Sequence, residues 1–204
     1  IRLVAATDMS VMIFGENGTG KEHIAHHLHD KSKRAGKPFV AVDCGSLTKE
    51  LAPSAFFGHV KGAFTGADST KKGYFYEAEG GTLFLDEVGN LALETQQMLL
   101  RAIQERRYRP IGDKSDRSFN VRIIAATNED LEAAVSEKRF RQDLLYRLQD
   151  FVITVPPLRD CQEDIMPLAE FFREIANKEL ECNVSGFSSE ARKALLTHAW
   201  PGNV

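Results

Sequence analysis

The stretch Val11-Met12-Ile13-Phe14-Gly15-Glu16-Asn17-Gly18-Thr19-Gly20-Lys21-Glu22 decides how this chain folds. Four apolar residues run into a glycine-rich turn, and a helical pattern opens at Lys21. Strand, glycine loop and helix N-terminus, in that order, cradle nucleotide phosphates. The glycines let successive backbone N–H groups point inward, and the helix end adds partial positive charge. Lys21 then reaches the outer phosphates as a point charge. Candidate contacts to a nucleoside triphosphate are Gly15, Glu16, Asn17, Gly18, Thr19, Gly20, Lys21 and Glu22. The match to G-x-x-x-x-G-K-[ST] departs only at Glu22, where a hydroxyl residue would bind Mg2+ directly. Either the metal rests mainly on phosphates, waters and Asp86, or Glu22 contacts it indirectly.

Outward from this loop, β-branched and aromatic runs alternate with longer helical patterns. Strands are expected at Ser10–Phe14, Pro38–Asp43, Gly81–Asp86, Val121–Thr127 and Phe151–Val155. Helices are expected at Lys21–Lys33, Leu47–Phe56, Leu93–Arg107, Asp130–Glu137 and Arg141–Leu148. Near-continuous apolar runs such as Thr82-Leu83-Phe84-Leu85 suit strands covered on both faces. The alternation implies a three-layer α/β fold with a parallel five-stranded sheet. Pro156-Pro157 ends that pattern, and only helical signals follow, at Glu163–Leu180 and Ser188–His198. The expected division is an α/β nucleotide-binding domain over 1–157 and a small helical domain over 158–204. His59–Lys72 and Tyr108–Phe119 fit neither strand nor core helix and read as functional excursions.

The second constellation is Gly81-Thr82-Leu83-Phe84-Leu85-Asp86-Glu87, an apolar strand ending in two acids. Beside a phosphate loop, the first acid organises Mg2+ and the second polarises the attacking water. Asn128 closes the strand Val121–Thr127, where an amide can touch the terminal phosphate or that water. Asp43, ending Phe39-Val40-Ala41-Val42, could face Glu87 or simply cap the next helix. Arg141 and Arg147 either pair within the chain, with Asp143, or reach a neighbouring subunit as arginine fingers. His23, His26, His27 and His29 crowd one helix, but no Cys or carboxylate accompanies them at ligand spacing, so a solvated helix surface is expected.

Bulk properties narrow the classes. With 204 residues, 43% hydrophobic and 27% charged, the chain can bury a full core. A net charge of -3 leaves no global footprint for nucleic acid, so sequence-specific DNA binding would come from elsewhere. No run approaches a membrane span and no signal peptide is visible, while Cys44, Cys161 and Cys182 read as reduced thiols. A cytoplasmic protein with no membrane partner is expected. Ile1 opens inside an apolar segment and the chain stops at Trp200-Pro201-Gly202-Asn203-Val204, so an excised piece of a longer protein is expected.

The most distinctive hexapeptide is Gly62-Ala63-Phe64-Thr65-Gly66-Ala67. It resembles the signature loop of bacterial enhancer-binding proteins, the NtrC-type AAA+ activators of sigma-54 RNA polymerase. The resemblance extends through Gly15–Glu22, Phe57-Gly58-His59, Gly80–Glu87, Arg122–Asn128, Phe140–Leu148, Pro157-Leu158-Arg159 and Trp200–Val204. It implies an ATPase that forms a ring, hexameric when active, with ATP and Mg2+ bound between subunits. It also implies that Gly62, Ala63, Phe64, Thr65, Gly66 and Ala67 contact the sigma factor. By position, Lys21, Asp86 and Glu87 take the phosphate, Mg2+ and water-activating roles, Asn128 with Thr127 a sensor role, and Arg141 and Arg147 the trans-acting arginine role. Tyr108–Phe119 resembles a second loop that moves with the first. The helical region resembles a lid, truncated at its C-terminus, and promoter DNA would be bound by a domain this chain does not contain.

One departure stands out. The family commonly has Asn where this chain has Asp43, at the position thought to hold the catalytic Glu as a switch. A carboxylate cannot donate to Glu87 and would repel it. An ATP-gated binding module with incidental turnover is therefore the alternative to an ATP-driven remodelling enzyme.

Overall fold

The computed structural model describes residues 2–204. Ile1, on which the expectation of a cut N-terminus partly rests, lies outside them. In chain order the strands are β1 (Val11–Phe14), β2 (Phe39–Asp43), β3 (Thr82–Asp86), β4 (Arg107–Tyr108), β5 (Arg117–Ser118), β6 (Arg122–Thr127) and β7 (Phe151–Thr154). The helices are α1 (Arg2–Ala5), α2 (Lys21–Asp30), α3 (Ala52–Phe57), α4 (Tyr74–Glu77), α5 (Leu93–Glu105), α6 (Leu131–Ser136), α7 (Gln142–Leu148), α8 (Gln162–Glu179) and α9 (Ser189–Thr197). Packing divides the chain into two compact units. One holds the chain up to Phe14 together with Lys21–Thr154, the other Gly15–Gly20 with Val155–Val204.

The first unit is built on one sheet of order β2-β3-β6-β1-β7 with every pairing parallel. The five strands fall within a residue of their expected limits. Burial explains the order: all six residues of β6 and the first four of β3 are buried, as central strands covered on both faces require. The edge strands β2 and β7 are only partly covered. Helix α5 turns Thr95, Gln96, Leu99, Leu100, Ala102 and Ile103 toward the core, a stripe with helical period. Arg122, the first residue of β6, is buried at 1% exposure. Its guanidinium donates to the carbonyls of Val4 (2.9 Å), Ala5 (3.0 Å) and Met9 (3.2 Å), which is what makes burial of the charge tolerable.

Three local expectations are corrected. The helix expected from Leu47 starts at Ala52, with Pro53 in its first turn, where the missing N–H would have no partner in the helix. Helix α2 stops at Asp30, where the Ser32 hydroxyl donates to the His29 carbonyl (2.7 Å) and competes for the last turn. The segment Tyr108–Phe119 is not wholly irregular: β4 and β5 pair antiparallel across it, and Tyr108 and Phe119 are buried.

In the second unit, Ser188 caps α9 by accepting from the Ala191 N–H (3.2 Å), as its sequence position suggests. Among the described residues no helix is long and apolar enough to cross a membrane.

Candidate functional site

Sheet register brings the sequence-derived acids to one edge. Asp43 pairs with Asp86, Leu85 with Ala125, and Phe14 with Thr127, so four strands end within one residue of one another. Phe14 is the last residue before the glycine loop, and ligands in parallel sheets bind at this carboxyl edge. Asp86 is half-buried, and its Oδ1 accepts from the Glu87 N–H at 2.9 Å. Glu87 then adopts a left-handed backbone (φ 50°, ψ 43°) and begins a 3-10 turn over Val88–Asn90. Asn128 is exposed just past β6, and the buried Thr127 hydroxyl accepts from the Glu129 N–H (3.0 Å).

Asp43 caps a turn and makes no hydrogen bond with Glu87, although its Oδ1 and Glu87 Oε2 both lie beside the Gly45 Cα. The Asp43 Oδ1 accepts from the Gly45 N–H at 2.8 Å, capping the 3-10 turn Cys44–Ser46. The amide beside Glu87 comes instead from Asn90, whose Nδ2 donates to Glu87 Oε2 at 2.9 Å. Sequence patterns had not singled out Asn90. The available signal was its place three residues after the acid, the spacing of one 3-10 turn.

Lys21 opens α2 and is only 7% exposed, a rare state for a lysine. Glu22 is exposed and its carboxylate leans toward the His26 ring (3.8 Å). The other histidines are partly accounted for by packing. His29 Nδ1 shares a 2.9 Å hydrogen bond with Thr82 Oγ1, and His26 stacks on Phe39 at 3.9 Å.

Within the second unit, Gly18 and Gly20 take positive φ (76° and 81°), which curls the loop. Thr19 Oγ1 donates to the Glu16 carbonyl (2.8 Å). Glu16 meets the Arg159 guanidinium at two points (2.5 and 2.8 Å) and accepts from Asn203 Nδ2 at 3.3 Å. The Arg159 bond, then the Asn203 bond, holds the Glu16 carboxyl at about 2. Asn203 also donates to the Asn17 carbonyl (2.8 Å) and accepts from the Leu158 N–H (2.8 Å). Beside the loop lies a cavity of about 420 Å³, whose walls include Gly18, Thr19, Val155, Leu158, Leu168 and Val204.

The hexapeptide forms a closed turn: Gly62 N–H donates to the Ala67 carbonyl (2.8 Å) and Ala67 N–H to the Phe64 carbonyl (3.0 Å). Phe64 and Thr65 stand exposed at its tip, and the Phe64 ring leans edge-to-face on His59. The second excursion is bonded to the base of the first. Val60 N–H donates to the Ile111 carbonyl (3.1 Å) and Ile111 N–H to the Gly58 carbonyl (2.9 Å). Both stand on one aromatic cluster in which Phe75 stacks on Phe57 (5.6 Å) and on Tyr108 (5.7 Å), and packs against Phe119 (4.6 Å).

The two arginines of interest differ. Arg141 forms a fork with Asp143 (3.0 and 2.7 Å), the intramolecular pair that the sequence allowed. Its backbone N–H donates to Oε1 of the buried Gln96 (2.8 Å), which anchors the start of α7. Arg147 is exposed and makes no hydrogen bond or ion pair among the described residues.

Comparison with known proteins bears on these features. A family model described as the sigma-54 interaction domain matches residues 1–154, and one described as the AAA+ ATPase lid domain matches residues 159–204. The chain is similar to the alginate biosynthesis transcriptional regulatory protein AlgB of Pseudomonas aeruginosa. The two are 50% identical over 203 residues, covering 100% of this chain and 45% of AlgB. It is also similar to NtrX from Brucella abortus in two crystal structures. The complex with ADP is 35% identical with TM-score 0.91, covering 99% of this chain and 44% of that one. The complex with ATP is 35% identical with TM-score 0.90, covering 99% and 46%. The chain thus spans less than half the length of each of these relatives. It belongs to the sigma-54 interaction domain family, the AAA+ P-loop domains of sigma-54-dependent transcriptional regulators of the NtrC type.

Proposed function

We propose that this domain binds ATP with Mg2+ and hydrolyses it in a ring of six copies. Hydrolysis drives the Gly62–Ala67 loops against sigma-54 RNA polymerase and converts a closed promoter complex into an open one. The observation that carries this is the register that sets Asp43 level with Asp86, and Thr127 level with Phe14 one residue further along, where the chain enters the glycine loop. NtrX, at 35% identity, was solved with ADP and with ATP. The division near residue 157 into a nucleotide-binding part and a lid belongs to the same proposal, as does a cytoplasmic place of action. Promoter DNA would be held by a part of the protein other than this domain.

The roles follow from the chemistry. The backbone N–H groups of Gly15–Gly20 and the Lys21 ammonium receive the phosphates, while the Glu16 side chain is engaged by Arg159. The apolar walls of the cavity beside Gly18 suit a planar base. No group of three or more His, Cys, Asp or Glu able to hold a metal exists among the described residues. An ion at Asp86 would therefore keep waters and phosphate oxygens as most of its ligands, which is the habit of Mg2+. Glu87 orients and deprotonates the attacking water, Asn128 senses the terminal phosphate, and Arg141 and Arg147 neutralise charge on the phosphoryl group of a neighbouring copy.

The test is ATPase rate per subunit against protein concentration, with Glu87→Ala alongside. A rate that rises with concentration and vanishes in Glu87→Ala is the expected result. Thr65→Ala is expected to lose sigma-54 binding in a pull-down. Nucleotide binding with no Glu87-dependent turnover at any concentration would leave the ATP-gated binding module in its place.

A further inference from the structure

We propose that Asn90 is the positioning residue for the Glu87 carboxylate, which it holds against the bare Cα of Gly45. This rests on the proposed role of Glu87 as the water-activating acid. Three observations meet at one point. Glu87 has a left-handed backbone followed at once by a 3-10 turn, so the residue three positions on folds back over it. Asn90 Nδ2 lies 2.9 Å from Glu87 Oε2. An ionised carboxylate only accepts, so the amide nitrogen must face it, and the orientation of the Asn90 side chain is fixed by that requirement.

The third observation concerns Gly45. A Cβ built there would stand 2.5 Å from Glu87 Oε2, 3.1 Å from Asn90 Nδ2 and 3.2 Å from Asp43 Oδ1. Two carboxylates and one amide therefore converge on space that only a glycine leaves open. Asp43 cannot hold Glu87 there: its Oδ1 is occupied by the Gly45 N–H, and it has no proton to donate. Among the described residues Asn90 is the only side chain that donates to Glu87. A left-handed non-glycine residue is strained and persists where its surroundings over-determine it. Here the outcome is one carboxylate oxygen tied to an amide, with the other available to a water.

A held base and a free base differ in kcat rather than in nucleotide affinity. Glu87 acts on water, and misplacing a catalytic group by about 1 Å costs roughly 100-fold. Asn90→Ala is expected to lower kcat by about 10- to 100-fold, with KM for ATP and nucleotide Kd within about twofold. Asn90→Asp, which sets a second carboxylate beside Glu87 in addition to Asp43, is expected to lose at least as much. Gly45→Ala fills the seat and is expected to reproduce the kcat defect, since the obstructed atom is the movable end of a side chain. Asp43→Asn introduces an amide into the same pocket and still caps the turn, so in the Asn90→Ala background it is expected to restore part of kcat.

The decisive experiment measures kcat, nucleotide Kd and thermal midpoint for the parent, Asn90→Ala, Asn90→Ala/Asp43→Asn and Glu87→Ala. A nucleotide-free readout runs beside it: the Asn90 side-chain amide resonances should shift in Glu87→Ala. A kcat for Asn90→Ala within twofold of the parent, a loss shared equally by Kd, or no rescue by Asp43→Asn overturns the inference. Should Glu87→Ala hydrolyse ATP as the parent does, the functional reading of Glu87 fails and the role of Asn90 with it. Loss in Glu87→Ala with none in Asn90→Ala sinks only the role of Asn90.

Discussion

Gly112 stands directly against Ala63: a Cβ on Gly112 would meet the Ala63 Cβ at 2.7 Å and the Ala63 Cα at 3.0 Å. The two surface excursions are therefore interlocked at backbone level, beyond the hydrogen bonds between Val60, Ile111 and Gly58. Gly112 also has φ of 78°, which a side chain resists by about 1–2 kcal/mol. Gly112→Ala should separate the loops, lowering the thermal midpoint by a few degrees. It should weaken sigma-54 binding more than ATP binding, a split that parallel pull-down and nucleotide titrations would read.

Phe64 is 46% exposed, and its ring meets His59 with centroids 4.9 Å apart at 62°. An edge-to-face contact of this kind contributes about 0.5–1.5 kcal/mol, less where solvent covers one face. Phe64→Ala should therefore change unfolding stability by less than about 1 kcal/mol while abolishing capture of sigma-54. A large loss of stability in chemical denaturation would instead make Phe64 a packing residue.

Arg147 is exposed and unpaired within the described chain, whereas Arg141 is tied to Asp143. If Arg147 acts on a neighbouring copy, Arg147→Ala and Glu87→Ala should each be inactive alone. Mixed one to one they should regain activity, because some junctions then pair an intact Glu87 with an intact Arg147. Random assembly makes that about a quarter of heterologous junctions. A mixture as inactive as its parts would mean that the arginine and the acid serve the same subunit.

Glu16 offers a pH test with a defined sign. Its carboxyl titrates at about 2, below the ordinary 4.5, because Arg159 and then Asn203 bind its charged form. A depressed acid contributes stability above its unfolded value and loses it as pH falls through its folded value. The tie should thus be intact above about pH 4.5 and weaken between there and pH 2. An NMR titration should move the Glu16 midpoint up toward 4.5 in Arg159→Ala, and by less in Asn203→Ala.

The sheet was legible in the sequence because buried parallel strands are continuous apolar runs bounded by glycine, proline or acids, as with Val11–Phe14 and Thr82–Asp86. The phosphate loop was legible because its chemistry requires glycines and a lysine at fixed spacing. Burial of Arg122 was not, since a charge inside an apolar run is explained only by the carbonyls of Val4, Ala5 and Met9, more than a hundred residues away in the chain.

Residue order alone therefore sufficed for whatever depends on local spacing: strand positions, the glycine loop, the acids at the end of β3, the Gly62–Ala67 hexapeptide and the family. Tertiary structure decided the pairings. Asp43 caps a turn, because the Gly45 N–H comes to 2.8 Å from its Oδ1, and the same close approach sets it beside Glu87 without a hydrogen bond between them. Arg141 could have been free or paired, and Asp143 took it. The amide beside Glu87 proved to be Asn90, brought there by a left-handed residue that no periodicity announces. Hydrogen bonds and charge pairs act over a few ångströms, so their partners are settled by which backbones the fold brings together.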